Sequence, residues 1–195
     1  MAAAPSLARH FAAEAHNNAW ANHRLLDACC QLSQEEFAAK RTSFFPSIKA
    51  TLNHILTVDW YYVEALERSV AGLAPAADAR RHFAVDEPFE TCAALSREQR
   101  AVDRRLIALC KSLSDDRLDI PVFLPRRDGV KQDSLERILQ HLFQHDIHHR
   151  GQVHAMLAGT HVKPPQLDDF YCANDAAVRA KDFAELGFSD EEIWG

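Results

Sequence analysis

Along this chain, apolar positions recur three and four residues apart over long stretches, and runs of β-branched residues are few. That periodicity predicts amphipathic helices rather than strands. The first predicted helix runs from about Ser6 to Leu32, is rich in alanine and carries Trp20, Leu25 and Leu26 at helical spacing. The segment Thr42-Ser43-Phe44-Phe45-Pro46 breaks the pattern, and Ser47 is placed to cap a second helix over 48–70. Residues 72–82, with their Pro and Ala, read as a loop, and a third helix follows over 88–113.

Residues 119–132 contain Pro121, Pro125 and the turn pair Asp128-Gly129, flanked by Ile120, Val122, Phe123 and Val130. Such a segment is either a structured loop or a short hairpin. Asp133 and Glu136 have capping-box spacing and open a fourth helix over 134–157. Pro164-Pro165 ends the connection after it, and the tail holds one short helix over 174–186. Four long amphipathic helices with one long irregular connection predict an all-α four-helix bundle. With no repeat, low-complexity tract or linker, residues 1–195 are expected to form one domain.

Composition narrows the function classes. With 22 Lys plus Arg against 28 Asp plus Glu the formal charge is −6, which argues against wide nucleic-acid contact, since phosphate neutralisation by basic residues supplies most non-specific affinity. No apolar run is long enough to span a membrane, and the opening residues lack the pattern of a secretory signal. A cytoplasmic protein is expected. The five cysteines form no C-x-x-C pair and read as reduced packing residues. Histidine is the unusual residue, with 11 in all, five of them (His141, His145, His148, His149 and His154) close together on the fourth helix.

A turn of about 100° per residue sorts these five. Setting His141 at zero places Ile138, Met156, Leu142, Leu135, Val153, Leu139 and Leu157 in an apolar arc from about 60° to about 160°, with His149 at about 80° and His145 at about 40°. Only these two face the core, and their i, i+4 spacing lets both imidazoles converge on one ion. His154 points nearly opposite to His145. A catalytic zinc site ordinarily has three protein ligands and an open position. His54 is the best third candidate, because it borders an apolar arc on the second helix formed by Val58, Tyr62, Ile55, Ile48, Leu66 and Leu52. An isolated histidine at a core margin is ordinarily a hydrogen-bonded packing residue, and the paired spacing is what lifts these above it. Glutamate does not follow His145, so the H-E-x-x-H pattern of helical metalloproteases is absent.

The string His141-Leu142-Phe143-Gln144-His145-Asp146-Ile147-His148-His149-Arg150-Gly151-Gln152-Val153 resembles the signature of the DinB family of DinB/YfiT-like, damage-inducible bacterial proteins. The resemblance extends over nearly the whole chain, through Asn18-Ala19-Trp20-Ala21-Asn22, the His54 to Asp59 segment and Pro164-Pro165-Gln166-Leu167-Asp168. It implies a four-helix bundle, often dimeric, with a three-histidine site for a divalent metal, zinc or nickel, at positions matching His54, His145 and His149. Activities in the family include thiol-dependent S-transferases, a thiol-dependent isomerase and a metal-dependent hydrolase. The expectation drawn here is a metal-dependent thiol S-transferase acting on small electrophiles with a low-molecular-weight thiol cosubstrate. The alternatives are a non-catalytic metal-binding stress-response protein and a hydrolase using metal-activated water. Asp59, inside the apolar arc of its helix, is expected to be a buried, hydrogen-bonded carboxylate. Asn18 and Asn22 are expected to border the pocket, Trp20 to be core, and Arg150 to be structural or interfacial. His141 and His148 are read as neighbours of the site or as exposed.

Overall fold

The computed structural model describes residues 6–195. Four long helices, α1 (Leu7–Cys29), α3 (Ile48–Val70), α4 (Cys92–Lys111) and α5 (Leu135–Leu157), form an all-α four-helix bundle, with a short α2 (Gln34–Ala38) between the first two long ones. α1 packs on α4 and α5, and α3 packs on the same two, so α1 lies diagonal to α3. Leu25, Leu56, Leu66, Leu95, Leu139 and Leu142 sit at the centre, each fully buried, and each contributes about 1.5–3 kcal/mol of transfer free energy. No helix among the described residues is long and apolar enough to cross a membrane.

Local chemistry explains where the helices begin and end. Ser6, Ser47, Thr91 and Ser134 are N-caps whose hydroxyls accept backbone N–H groups of the first turn. α1 stops before the expected Leu32 because the Gln31 and Leu32 N–H groups turn to carbonyls three residues back, Ala28 and Cys29, and Ser33 with Glu36 forms a reciprocal capping box that starts α2. α4 starts at Cys92 rather than near Pro88 because Thr91 caps it. The cap of α5 is Ser134, not Asp133. Asp133 Oδ1 instead accepts the Ser134 N–H at 2.9 Å.

The segment before α5 is a hairpin, β1 (Pro121–Arg126) paired antiparallel with β2 (Gly129–Ser134). Arg126 pairs with Gly129, so the turn consists of Arg127 and Asp128, one residue earlier than expected, and Gly129 opens β2 at φ 117°, a backbone angle that glycine adopts without strain. Val122 and Leu124 alternate inward and are buried, while Tyr61 Oη on α3 donates to the Pro125 carbonyl at 2.9 Å. The hairpin is thereby tied to α3 beside the bundle's histidines.

The tail holds α6 (Ala176–Leu186), ended by the left-handed Gly187, and a further helix, α7 (Asp190–Trp194), which the periodicity does not predict. Together they build a second small core on the outer side of α1, from Ala13, Trp20, Ala21, Phe170, Phe183 and Ile193. Arg179, almost fully buried, lies over the Phe183 and Trp194 rings and donates to the Cys172 carbonyl at 2.8 Å.

Candidate metal centre

α3 and α5 lie side by side, and each turns its histidines toward the other. His54 on α3 and His145 and His149 on α5 each offer a ring nitrogen, and these atoms all lie within 4.8 Å of one another. His54 Nε2 and His145 Nε2 are 3.0 Å apart. The ring centroids are 5.0 Å apart for His54 and His145, 4.7 Å for His54 and His149, and 4.4 Å for His145 and His149.

The outer nitrogens of the α5 pair have partners that orient the inner ones. His145 Nδ1 faces Asp146 Oδ1 at 3.3 Å, and His149 Nδ1 faces Gln152 Oε1 at 3.0 Å. Both partners are acceptors, so each Nδ1 carries the proton and each Nε2 lone pair points into the cluster. Gln152 is itself held by its amide donating to His148 Nε2 at 3.0 Å. Burial, reinforced by the His145 and His149 imidazoles, pushes His54 down to about 4, while Asp146 pulls it partly back. Burial likewise lowers His149, against the Gln152 hydrogen bond. Neutral imidazole is the state that binds metal, and burial favours it at His54 and His149.

A divalent ion fits this donor set. Two Zn–N bonds of about 2.0–2.1 Å at a tetrahedral angle put the nitrogens about 3.3 Å apart, close to the spacing of the His54 and His145 pair. Without a cation or proton between them, two lone pairs 3.0 Å apart repel. Aromatic cover comes from the loop before α3. The Phe45 ring centroid lies 4.4 Å from that of His54 and 5.5 Å from that of His149, and Phe44 stands outside it, 79% exposed. The Arg41 N–H donates to the Pro46 carbonyl at 2.8 Å and closes that loop on itself.

A sequence profile of the DinB family matches residues 10–177. The chain belongs to the DinB family. It is 29% identical over 125 residues to the uncharacterized protein YizA of Bacillus subtilis (strain 168), covering 64% of this chain and 72% of YizA. It is 23% identical over 142 residues to Protein DinB of the same organism, covering 72% of this chain and 80% of that protein. α7 and most of α6 lie beyond the DinB family match.

Behind the triad of this DinB family chain runs a buried polar network that the sequence reading only partly anticipates. Asn18 and Asn22 do not border the pocket. Asn18 Nδ2 donates to Asp146 Oδ2 at 2.9 Å, and Arg150 Nη1 donates to both Asn18 Oδ1 and Asn22 Oδ1. Asn22 Nδ2 donates to Asp103 Oδ1 at 3.0 Å, and Gln99 Nε2 bridges Asp103 Oδ1 at 3.1 Å and Asp59 Oδ2 at 2.6 Å. Three buried carboxylates thus share one buried guanidinium. Burial with the nearby Asp146 and Asp103 raises Asp59 well above the usual carboxylate range, and burial pushes Asp103 up to about 7. Asp59 Oδ1 has no hydrogen-bond partner although Asp146 is close enough to raise its pKa; protonation of Asp59 removes the charge the network cannot compensate.

The remaining histidines have other partners. His141 is exposed, its ring 6.3 Å from that of His145, and His154 Nε2 faces the Pro165 carbonyl at 3.0 Å. A second group, His23 with Asp182 and Glu185, also brings ligand-type atoms together. Arg100 Nη2 donates to His23 Nδ1 at 3.2 Å, leaving Nε2 as the donor to Glu185 at 3.0 Å, while Asp182 is engaged by Arg24 and Trp20. These atoms are spent on hydrogen bonds. All five cysteines are free. Cys29, Cys92 and Cys110 are buried as expected, whereas Cys30 and Cys172 are exposed and so are not packing residues.

Proposed function

We propose that His54, His145 and His149 bind one divalent ion, zinc or nickel, and that the protein uses it to transfer a low-molecular-weight thiol to small electrophiles. The observation that carries this reading is a convergent set of three imidazole nitrogens, two of them oriented from behind, in a cluster to which no cysteine contributes. The nucleophile must therefore come from outside the chain. When bound, the ion supplies Lewis acidity that lowers the pKa of a thiol or water beside it.

The chain's own residues do the rest. Asp146 and Gln152 keep the Nδ1 protons in place, so the Nε2 atoms face inward whatever the state of the site. Phe45 shields the His54 and His149 rings from bulk water. Asp146, close behind His145, acts on His54 and His149 in the direction that favours positive charge at the triad. The same reading has the protein acting as a one-domain cytoplasmic homodimer on small molecules, without nucleic acid, in keeping with its net charge of −6.

Metal content of the purified protein, followed by assays with bacterial thiols and 1-chloro-2,4-dinitrobenzene, tests it. One equivalent of metal in the wild type, lost in His54→Ala, His145→Ala and His149→Ala, is expected together with metal-dependent thiol consumption. Full metal in all three variants refutes the site. Metal binding without thiol turnover refutes the transferase and leaves a metal-binding protein.

A further inference from the structure

Next to the triad, the hairpin, α3 and α5 enclose a groove of about 350 Å³. Its floor is Ile138 and Leu124, both buried, and its rim carries Arg126, Lys131, Arg137 and His141. Two of the three full cations already have acidic partners: Lys131 pairs with Asp128 at 2.7 Å and Arg137 with Asp133 at 3.4 Å. Arg126 has no carboxylate within 4 Å among the described residues. It is nevertheless fixed in place. Its Nη2 donates to Tyr62 Oη at 2.7 Å, and its guanidinium lies 5.2 Å from the Tyr61 ring centroid and 5.6 Å from that of Tyr62. Aromatic contact of this kind holds the guanidinium plane while leaving edge N–H donors free.

His141, on the groove's rim, stands between the groove and the triad. Tyr62 and His141 have centroids 5.2 Å apart, and His141 and His145 have centroids 6.3 Å apart. A pre-oriented guanidinium with no carboxylate in contact, an apolar floor and a rim histidine that borders His145 are the parts of an oriented subsite for an anionic ligand with an apolar stem. We infer that the substrate of the histidine site carries a carboxylate, and that Arg126 binds it while the stem lies over Ile138 and Leu124 and the reacting end reaches the triad. Arginine suits this task because its planar fork meets both oxygens of a carboxylate. The inference rests on the triad being the reaction centre.

The test separates the two ideas. Metal-free protein labelled with ¹⁵N is titrated with hexanoate and, in parallel, with hexanol. Saturable shifts at Leu124, Gln132, Ile138 and His141 are expected with hexanoate alone. They are expected to be about tenfold weaker in Arg126→Ala, the order of one charge-assisted hydrogen-bonded contact, and partly restored in Arg126→Lys, which keeps the charge but loses the fork. Absence of saturable shifts, equal binding of hexanol, or unchanged affinity in Arg126→Ala overturns the subsite. Calorimetry of the zinc-loaded protein with 6-mercaptohexanoate then reads the coupling. Tighter binding than hexanoate, seen only with zinc present, is expected. Hexanoate binding in the groove with no zinc-dependent gain from the thiol refutes the reach from Arg126 to the triad, and with it the substrate assignment, while thiol transfer itself stands or falls on the assay with 1-chloro-2,4-dinitrobenzene; a zinc-dependent gain that Arg126→Ala leaves untouched refutes the subsite alone.

Discussion

Replacing Asp146 by asparagine changes almost no volume, yet the network predicts a large effect on metal binding at the proposed site. Asp146 is fully buried, accepting from Asn18 through Oδ2 and facing His145 Nδ1 through Oδ1. An asparagine there has one acceptor and one donor end. Asn18 cannot turn to suit it, because its own oxygen accepts from Arg150. The new amide oxygen must therefore stay toward Asn18, and its NH₂ group must face His145 Nδ1. His145 can meet that donor only by moving its proton to Nε2, the atom aimed at His54. The alternative orientation leaves two buried donors opposed, at a cost of about 1–3 kcal/mol. Asp146→Asn is thus expected to weaken zinc binding about 10–100-fold, the usual range for loss of an orienting partner. Competition against a chelator of known affinity measures this, and imidazole ¹⁵N shifts of the metal-free protein report which nitrogen of His145 is protonated. Zinc affinity within about threefold of wild type, with the His145 proton still on Nδ1, would refute the reasoning.

Other consequences can be measured with the same material. Asp103, pushed up to about 7 from the ordinary 3.8, holds a proton in the folded chain that the unfolded chain has lost between those values. Its contribution to stability is therefore greatest below about pH 4 and declines by about 1.4 kcal/mol per pH unit until it passes 7. His54, lowered from 6.5 to about 4, acts in the opposite direction, contributing above 6.5 and losing that contribution as pH falls. Denaturation of wild type and Asp103→Asn at several pH values isolates the Asp103 effect, since His54 cancels in the difference; an identical pH dependence of the two proteins contradicts it. Zinc at a hundred times its dissociation constant should add about 2.7 kcal/mol, or roughly 5–10 °C in Tm for a chain of this size, and nothing in His54→Ala. Removing the ring in Phe45→Ala should hydrate His54 and raise its pKa by about one unit, read by NMR titration of metal-free protein, and an unmoved pKa would show that Phe45 does not shield it.

The convergence of His145 and His149 was legible in the sequence for a simple reason: they are four residues apart on one long helix, so it depends on helical pitch alone. His54 was legible because it borders the apolar arc of its own helix. Asp146 was missed although it lies at about 140° on the α5 wheel, inside the apolar arc, which is the signal of a buried carboxylate with a partner. Phe45 left no such trace. It belongs to a segment that breaks the helical pattern, and its position over His54 depends on how that loop closes between Arg41 and Pro46. The hairpin stayed ambiguous because Pro121 and Pro125 weaken the strand signal, and the five-residue α7 is too short for periodicity to show. Its reality rests on long-range contacts, such as Arg9 donating to the Trp194 and Gly195 carbonyls.

α1 is covered on both sides, by the bundle core on one and by Phe170, Phe183 and Ile193 on the other. Its outer strip, centred on Trp20, would otherwise be a sticky apolar surface of the kind through which helical proteins self-associate. Here the chain's own C-terminus fills that role, acting as a built-in occupant. Self-association through this strip of α1 would require the tail to be expelled to expose Trp20. Trimming the chain after residue 177, where the family match ends, would convert a satisfied surface into an adhesive one, so that oligomeric state becomes a property of the last eighteen residues rather than of the four-helix bundle.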